Sequence, residues 1–301
     1  MKQIGFVFLL CIGLFGFAHA QKCPETATEV KPVLSDDTRK NYEAQLSNER
    51  TDYYINPDDA NRAVWFGRRT AYLGEYKTAI KIYSDGIKAN PQYAELYRHR
   101  GHRYITLRCF DDAVSDFEKA AKLIKGKPDQ VEPDGQPNAK NIPTSTLQSN
   151  IWYHLGLAYY LKGDFKKALA AYKECQKVSK NNDMRVATAY WHYMTLRRLG
   201  KEKAAKAVLE PFAGEIELIE NTDYLKLIKL NRGEVKAEDL LSTIRGDANT
   251  LGSASLGYGI GNYFLYNGDK EKAVTIFKKI SAGDQWASFG FIAAEAELKR
   301  L

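Results

Sequence analysis

Cysteine and methionine are both scarce in this chain, at four and three in 301 residues. The local signatures of catalysis are missing as well. No Cys-x-x-Cys or His-Glu-x-x-His spacing is present to gather the three or four ligands that zinc requires. There is no nucleophile elbow and no phosphate-binding glycine loop. The sequence therefore predicts no enzyme, no cofactor and no metal site, and His99, His102, His154 and His192 are expected to be groove or core side chains. None of the 15 asparagines lies in an Asn-x-Ser/Thr acceptor, which favours a bacterial envelope over a eukaryotic secretory route. Long hydrophobic runs are absent, with one exception.

The exception is IGFVFLLCIGLFGF, from Ile4 to Phe17, preceded by Lys2 and followed by Ala18, His19 and Ala20. That is the layout of a secretory signal peptide. It is shorter than the roughly 20 apolar residues of a membrane span. Cleavage after Ala20 is expected, giving an exported protein, periplasmic or secreted, with no remaining span. Cys11 follows two leucines and Cys23 follows Lys22, so neither sits in a lipoprotein context. The three cysteines left, Cys23, Cys109 and Cys175, are an odd number, so they cannot all pair within the chain. Whether Cys23 pairs with Cys109 or with Cys175 stays open at this level. The net charge of +7 is modest and spread along the chain. The densest basic stretch is YRHRGHRY, residues 97–104. In an exported protein such a patch does not point to nucleic acid, because basic charge alone is only an electrostatic footprint.

What the sequence does have is a period. WFGRRTAYLGEYKTAIKIYSDGIKANP (65–91) and RHRGHRYITLRCFDDAVSDFEKAAK (98–122) superpose with a shift of 34 residues. Gly67 falls on Gly101, Tyr76 on Phe110, Ala79 on Ala113, Tyr83 on Phe117 and Gly86 on Ala120. The pattern returns with Gly156, Gly163, Phe165, Ala168, Tyr172 and Cys175, again with Gly200 and Ala205, and last with Gly261, Gly268, Ala273 and Phe277. Each copy spaces its apolar residues by three and four on both sides of a polar or glycine turn, the signature of two helices. Small residues let the paired helices approach, and aromatics fill the space around them. Ala205 and Ala273 are two periods apart, so a hidden copy is expected between them, centred on Gly233.

These copies resemble the tetratricopeptide repeat (TPR) family, the third most fully, through Trp152, Leu155, Gly156, Tyr159, Gly163, Phe165 and Ala168. The resemblance covers roughly residues 60–280. It implies an all-α, right-handed superhelix (an α-solenoid) of five to six helix pairs with capping helices. The division expected is a signal peptide (1–20), an N-terminal segment and capping helix (21–59), two repeats (60–127), an insert (128–148), two repeats (149–212), a degenerate repeat (213–247), a last repeat (248–284) and a capping helix (285–301). The insert, PDQVEPDGQPNAKNIPTSTLQ, breaks the period by 21 residues and holds four of the nine prolines. Loops of this length are often functional. Ser145 and Gln148 read as a capping box opening the next helix.

In such a superhelix the first helix of each pair lines the concave surface, and residues four apart share a face. The inward pairs are then Val64/Arg68, Arg98/His102, Tyr153/Leu157, Tyr190/Met194 and Tyr258/Asn262. The candidate ligand-binding groove comprises Arg68, Arg98, His102, Asn150, Tyr153, Tyr190, Tyr258 and Asn262, basic at its N-terminal end and aromatic further along. Arginine matches carboxylates, and tyrosine gives rigid contact area, so an extended protein or peptide segment is the expected partner. Val64/Arg68 and Arg98/His102 stand where some family members hold a carboxylate with Lys and Asn, so that specificity is not expected here. Arg100 occupies a position that is apolar in other copies and needs a carboxylate among Asp111, Asp116, Glu132 and Asp134, as a structural ion pair. Arg103 is expected to face water. The alternative is a binder of a small molecule or cell-wall fragment, or a cryptic hydrolase, with its site at Arg68, Arg98, His102 and the insert. An open groove with the insert at its rim would favour the scaffold, and an insert closed over a pocket the alternative.

Overall fold

The computed structural model describes residues 23–244 and 251–301; the signal segment 1–20 lies outside the described residues. Helix α1 (Asp36–Ile55) leads into six further pairs: α2 (Ala60–Tyr72) with α3 (Tyr76–Ala89), α4 (Ala94–Thr106) with α5 (Phe110–Ile124), α6 (Leu147–Lys162) with α7 (Phe165–Val178), α8 (Asn182–Arg198) with α9 (Glu202–Leu209), α10 (Thr222–Asn231) with α11 (Ala237–Thr243), and α12 (Leu251–Tyr266) with α13 (Lys270–Ser281). Helix α14 (Phe289–Leu298) closes the chain. The architecture is an all-α solenoid in which α2, α4, α6, α8, α10 and α12 pack as an inner ladder.

The glycine–aromatic register explains why each pair closes. A β-carbon on Gly101 would stand 2.9 Å from the Phe117 ring, and one on Gly156 would stand 2.7 Å from that of Tyr172. Gly67 meets Tyr83 and Gly261 meets Phe277 in the same way. Only hydrogen fits at these positions, and the aromatic of the second helix lies flat on the first helix's backbone. Between the helices of a pair the chain turns through a left-handed residue: Gly74, Gly163, Gly200, Gly233 and Gly268 all have positive φ. In the second repeat Arg108 takes that place, with φ 63°, a conformation that strains any residue with a β-carbon.

Two segments outside the repeats tie the solenoid together. Residues 23–34 run back along the first two repeats, where Cys23 forms a disulfide with Cys109 and Glu29 accepts a hydrogen bond from the Lys77 amide, capping α3. Cys175 is the free, buried thiol. At the other end α14 packs on α12, α13 and α6, and the segment before it reaches the N-terminal repeats, where Trp286 stacks on Tyr76 at 6.0 Å. The strained Arg108 anchors this return. Its guanidinium lies 3.9 Å from the centre of the Trp286 ring and donates to Glu295 (2.8 Å) and to the Trp286 carbonyl (2.9 Å).

The helix after the insert starts one residue later than the sequence suggests. Its cap is Thr146, in a reciprocal box with Ser149. Ser145 is otherwise engaged: its hydroxyl accepts from Asn150 and its carbonyl from the Glu132 amide.

Candidate functional site

The inner ladder carries every residue named for the groove, but it is not an open aromatic wall. Tyr190 and Tyr258 are 1 % exposed, Asn262 is fully buried, and Tyr153 is buried too. These are corrections with one cause: α10 and α14 lie over the face that the tyrosines line. Tyr153 shares a hydroxyl–hydroxyl contact with Tyr224 of α10 (3.2 Å), and Tyr258 donates to Glu297 of α14 (3.3 Å) with its hydroxyl also 3.1 Å from that of Tyr160. Asn262 donates to the Met194 sulfur (3.5 Å). Burial pushes the hydroxyls of Tyr153, Tyr190 and Tyr258 well above the ordinary tyrosine value. The C-terminal half is a packed core.

The basic half is different in kind. Arg68 and Arg98 are also buried, and the insert lies against both, with the Glu132 side chain on Arg98 and Gly135 beside Arg68. Glu132, itself buried, pairs with Arg98 Nη2 at 3.0 Å and accepts from Asn150 Nδ2 at 3.0 Å. His99 completes the cradle. Arg98 Nη1 can only donate, so His99 Nδ1 accepts at 3.1 Å, and the ring proton is left on Nε2, 3.4 Å from Glu132 Oε1. Burial, then Arg98, lowers the His99 pKa well below the usual value, which keeps the ring in that neutral form.

Three residues on, at Gly135, the insert touches the ladder again. The Gly135 carbonyl accepts from Arg69 Nη1 at 2.6 Å. A β-carbon there would overlap the Tyr72 hydroxyl and stand 2.6 Å from Arg68 Nη2. Arg68 lies 4.4 Å over the Trp65 ring, and no carboxylate pairs with it among the described residues. The neighbouring Asp134 carries a buried carboxylate oxygen without a hydrogen-bond partner, and burial raises its pKa.

The other residues of the basic stretch have separate duties. Arg100 binds Asp116 through two nitrogens (2.8 and 2.7 Å) and Ser84 through a third (2.9 Å), so Asp116 is its carboxylate. His102 is half-buried between the rings of His154 (4.8 Å) and Phe289 (5.2 Å). His154 donates from Nδ1 to the Asn150 carbonyl at 2.6 Å, and burial drives its pKa down to about 3. Arg103 does not face open water; it is half-buried with its guanidinium 5.8 Å from the Tyr76 ring centre. His99, Arg69, Glu132 and Gly135 are the site residues that the inward-pair rule does not select. Glu132 and Gly135 had a signal in the insert's acidic Glu-Pro-Asp-Gly turn, but its docking place is not encoded locally.

Residues 149–182 match the sequence profile of the tetratricopeptide repeat family. The matched segment is the third of the helix pairs whose glycine–aromatic contacts recur along the chain. Residues 149–182 are a tetratricopeptide repeat, and the other helix pairs are similar to it. A BBSome complex member, BBS4 from Bos taurus, is 26 % identical over 143 residues, 48 % of this chain and 23 % of that protein. This chain thus spans about a quarter of the length of that relative. Among solved structures, a TPR protein from Parabacteroides merdae superposes with a TM-score of 0.50 at 13 % identity, covering 86 % of this chain and 93 % of the other. The pilus biogenesis factor PilW gives 0.47 at 15 %, covering 81 % and 86 %. YrrB, a TPR protein with an unusual peptide-binding site, gives 0.43 at 16 %, covering 84 % and 98 %. Likeness at such identities concerns the fold alone. A repeat fold of this kind supports a protein-interaction role in general.

Proposed function

We propose that this chain is an exported TPR scaffold that binds a protein segment on its concave face, at the basic N-terminal end. The observation that carries the reading is the cradle of Arg98, His99 and Asn150 around a single carboxylate, Glu132, presented by an extended stretch of chain. A surface that receives one extended acidic segment has the chemistry to receive another. Export is supported by the signal-like first twenty residues and by the Cys23–Cys109 disulfide, since such bonds persist in oxidising compartments.

The insert is closed rather than parked at a rim, which is the arrangement expected of a small-molecule protein. Beneath it, however, the space is taken by the Glu132 carboxylate, and that favours the peptide reading over an enclosed ligand. The test is affinity capture from envelope extracts with the chain beginning at Gln21. A partner of the concave face should be retained by the Lys122→Gln variant, altered on the exposed side of α5, and lost with Arg98→Gln at unchanged circular dichroism. Equal capture by both would place recognition elsewhere. Mass spectrometry that finds Met1 retained on a cytoplasmic protein would refute export.

A further inference from the structure

Within residues 128–143 of the insert only Glu132 and Gly135 are buried, with one carboxylate oxygen of the half-buried Asp134 tucked in between them; most of the other side chains face solvent, including Val131 at 62 % and Ile142 at 49 % exposure. The stretch is therefore held by two buried points and by peripheral polar contacts from Gln130 to Glu95, Gln136 to Tyr42 and Lys140 to Glu217, not by a hydrophobic face. Its base is pinched by an isolated antiparallel bridge between Val131 and Thr146, with the Leu147 amide donating to the Gln130 carbonyl at 2.9 Å. From that base the turn Glu132-Pro133-Asp134-Gly135 projects onto the ladder like a docked peptide. A unit with so few buried apolar contacts belongs to the low-stability end of a structure and can open without disturbing the core.

We infer that this turn is an intramolecular ligand, and that the partner of the concave face is an extended segment of the same chemistry: two carboxylates separated by one residue, followed by glycine. This rests on the concave-face reading above and specifies its partner. The first carboxylate is fixed by the three donors of Arg98, His99 and Asn150. The glycine is fixed by Tyr72 and Arg68, which leave no room for a β-carbon, and by Arg69, which takes its carbonyl. The second carboxylate is the poorly satisfied part. One oxygen of Asp134 is buried without a partner, Arg98 Nε is buried without one, and Arg68 has no carboxylate paired with it among the described residues. A tethered ligand has an effective concentration on the order of millimolar. A free segment must therefore bind better than the insert does, and an acid that reaches Arg68 directly is the way open to it.

The test uses the full chain with the Glu132→Gln substitution and a fluorescein-labelled synthetic peptide of residues 128–140. Loss of the cis carboxylate should release the insert, seen as faster limited proteolysis within 128–143 at unchanged circular dichroism. The labelled peptide should then bind the variant at least tenfold more tightly than it binds the wild-type chain, by fluorescence anisotropy. Peptides carrying Glu132→Gln or Gly135→Ala, and a protein that also carries Arg98→Gln, should not bind. A second variant, with residues 132–143 replaced by a four-residue Gly-Ser linker between the bridged ends, should behave like Glu132→Gln and removes dependence on one substitution. The inference is overturned if the insert stays protected without Glu132, if an emptied site ignores the peptide, or if the Glu132→Gln or Gly135→Ala peptide binds as tightly as the unaltered one. Failure to capture a cellular partner would count against the proposed function and leave these binding results as they stand.

Discussion

Replacing Gly156 with alanine opposes two effects of known size. A helix interior gains about 0.8–1.0 kcal/mol when glycine becomes alanine, because the unfolded glycine is the more disordered. Against this, the new β-carbon would lie 2.7 Å from Tyr172 Cε1 and 2.8 Å from Cζ. Tyr172 is fully buried and its ring sits edge-on to Tyr153 at 6.3 Å, so it has nowhere to retreat. Overpacking of this kind costs roughly 1–3 kcal/mol. The balance should be a net loss of up to about 2 kcal/mol, a fall of some 2–4 °C per kcal/mol in Tm for a chain this long. Gly257 is the internal control: there the nearest atom is the mobile Ile280 Cδ1 at 3.2 Å, so alanine should be neutral or stabilising. The assay is thermal unfolding of both variants, followed by Gly156→Ala in a Tyr172→Leu background, where most of the penalty should vanish. The packing argument fails if Gly156→Ala melts at or above wild type, or if its cost is the same with and without the tyrosine ring.

Burial holds His154 at about pKa 3 and His192 at about 4, against an unfolded value of 6.5. Below pH 6.5 the unfolded chain thus binds more protons, so stability should fall from pH 7 toward 4, each histidine costing roughly 2 kcal/mol at pH 5; a Tm that does not change between pH 7.5 and 5 would contradict their burial. Reduction of the Cys23–Cys109 bond, which spans 86 residues, should cost up to about 4–5 kcal/mol by loop-closure entropy, while Cys175→Ser changes little by comparison; the readout is Tm with and without reductant, after non-reducing peptide mapping. At position 108 alanine should be less stable than glycine by about 1 kcal/mol in chemical denaturation, because the left-handed backbone penalises any β-carbon; the reverse order would place the strain elsewhere.

Much of the repeat core was legible because its chemistry is local and periodic. Gly101 and Phe117, or Gly156 and Tyr172, lie 16 residues apart, and the same contact recurs in other pairs. The weak copy around Gly233 is less of a pair: α10 packs on α8 and α12, and α11 on α12. What the period could not show was the fate of the inner face. Whether Tyr258 lines a groove or a core depends on α14 returning across the ladder, a contact such as Arg108 to Glu295 spanning 187 residues. A trace of this was available, since Arg108 stands where Gly74, Gly163 and Gly268 stand in their repeats. A residue kept in a glycine's place at a conformational cost implies a compensating contact, here with Trp286 and Glu295. The site followed the same division. Arg68 and Arg98 were found from the period, whereas the carboxylate that pairs with Arg98 came from outside it.

Two buried carboxylates from outside the repeats, Glu132 and Glu297, pair with arginines of the repeat helices, and the difference between them says what each segment is for. Glu297 of α14 is fully buried and pairs with Arg198 at 2.9 Å, as Glu132 does with Arg98 at 3.0 Å. Electrostatically these are alike, and a buried ion pair by itself is weak evidence of stability because desolvation offsets the attraction. The apolar backing separates them. Phe291, Ile292, Ala293 and Ala294 are buried around Glu297, each adding its share at roughly 25 cal/mol per Å² removed from water. Glu132 has exposed Val131 and Pro133 on either side and only Gly135 beyond. Helix α14 is therefore a permanent wall of the solenoid, and the acidic turn is the part of the inner face that a partner can exchange.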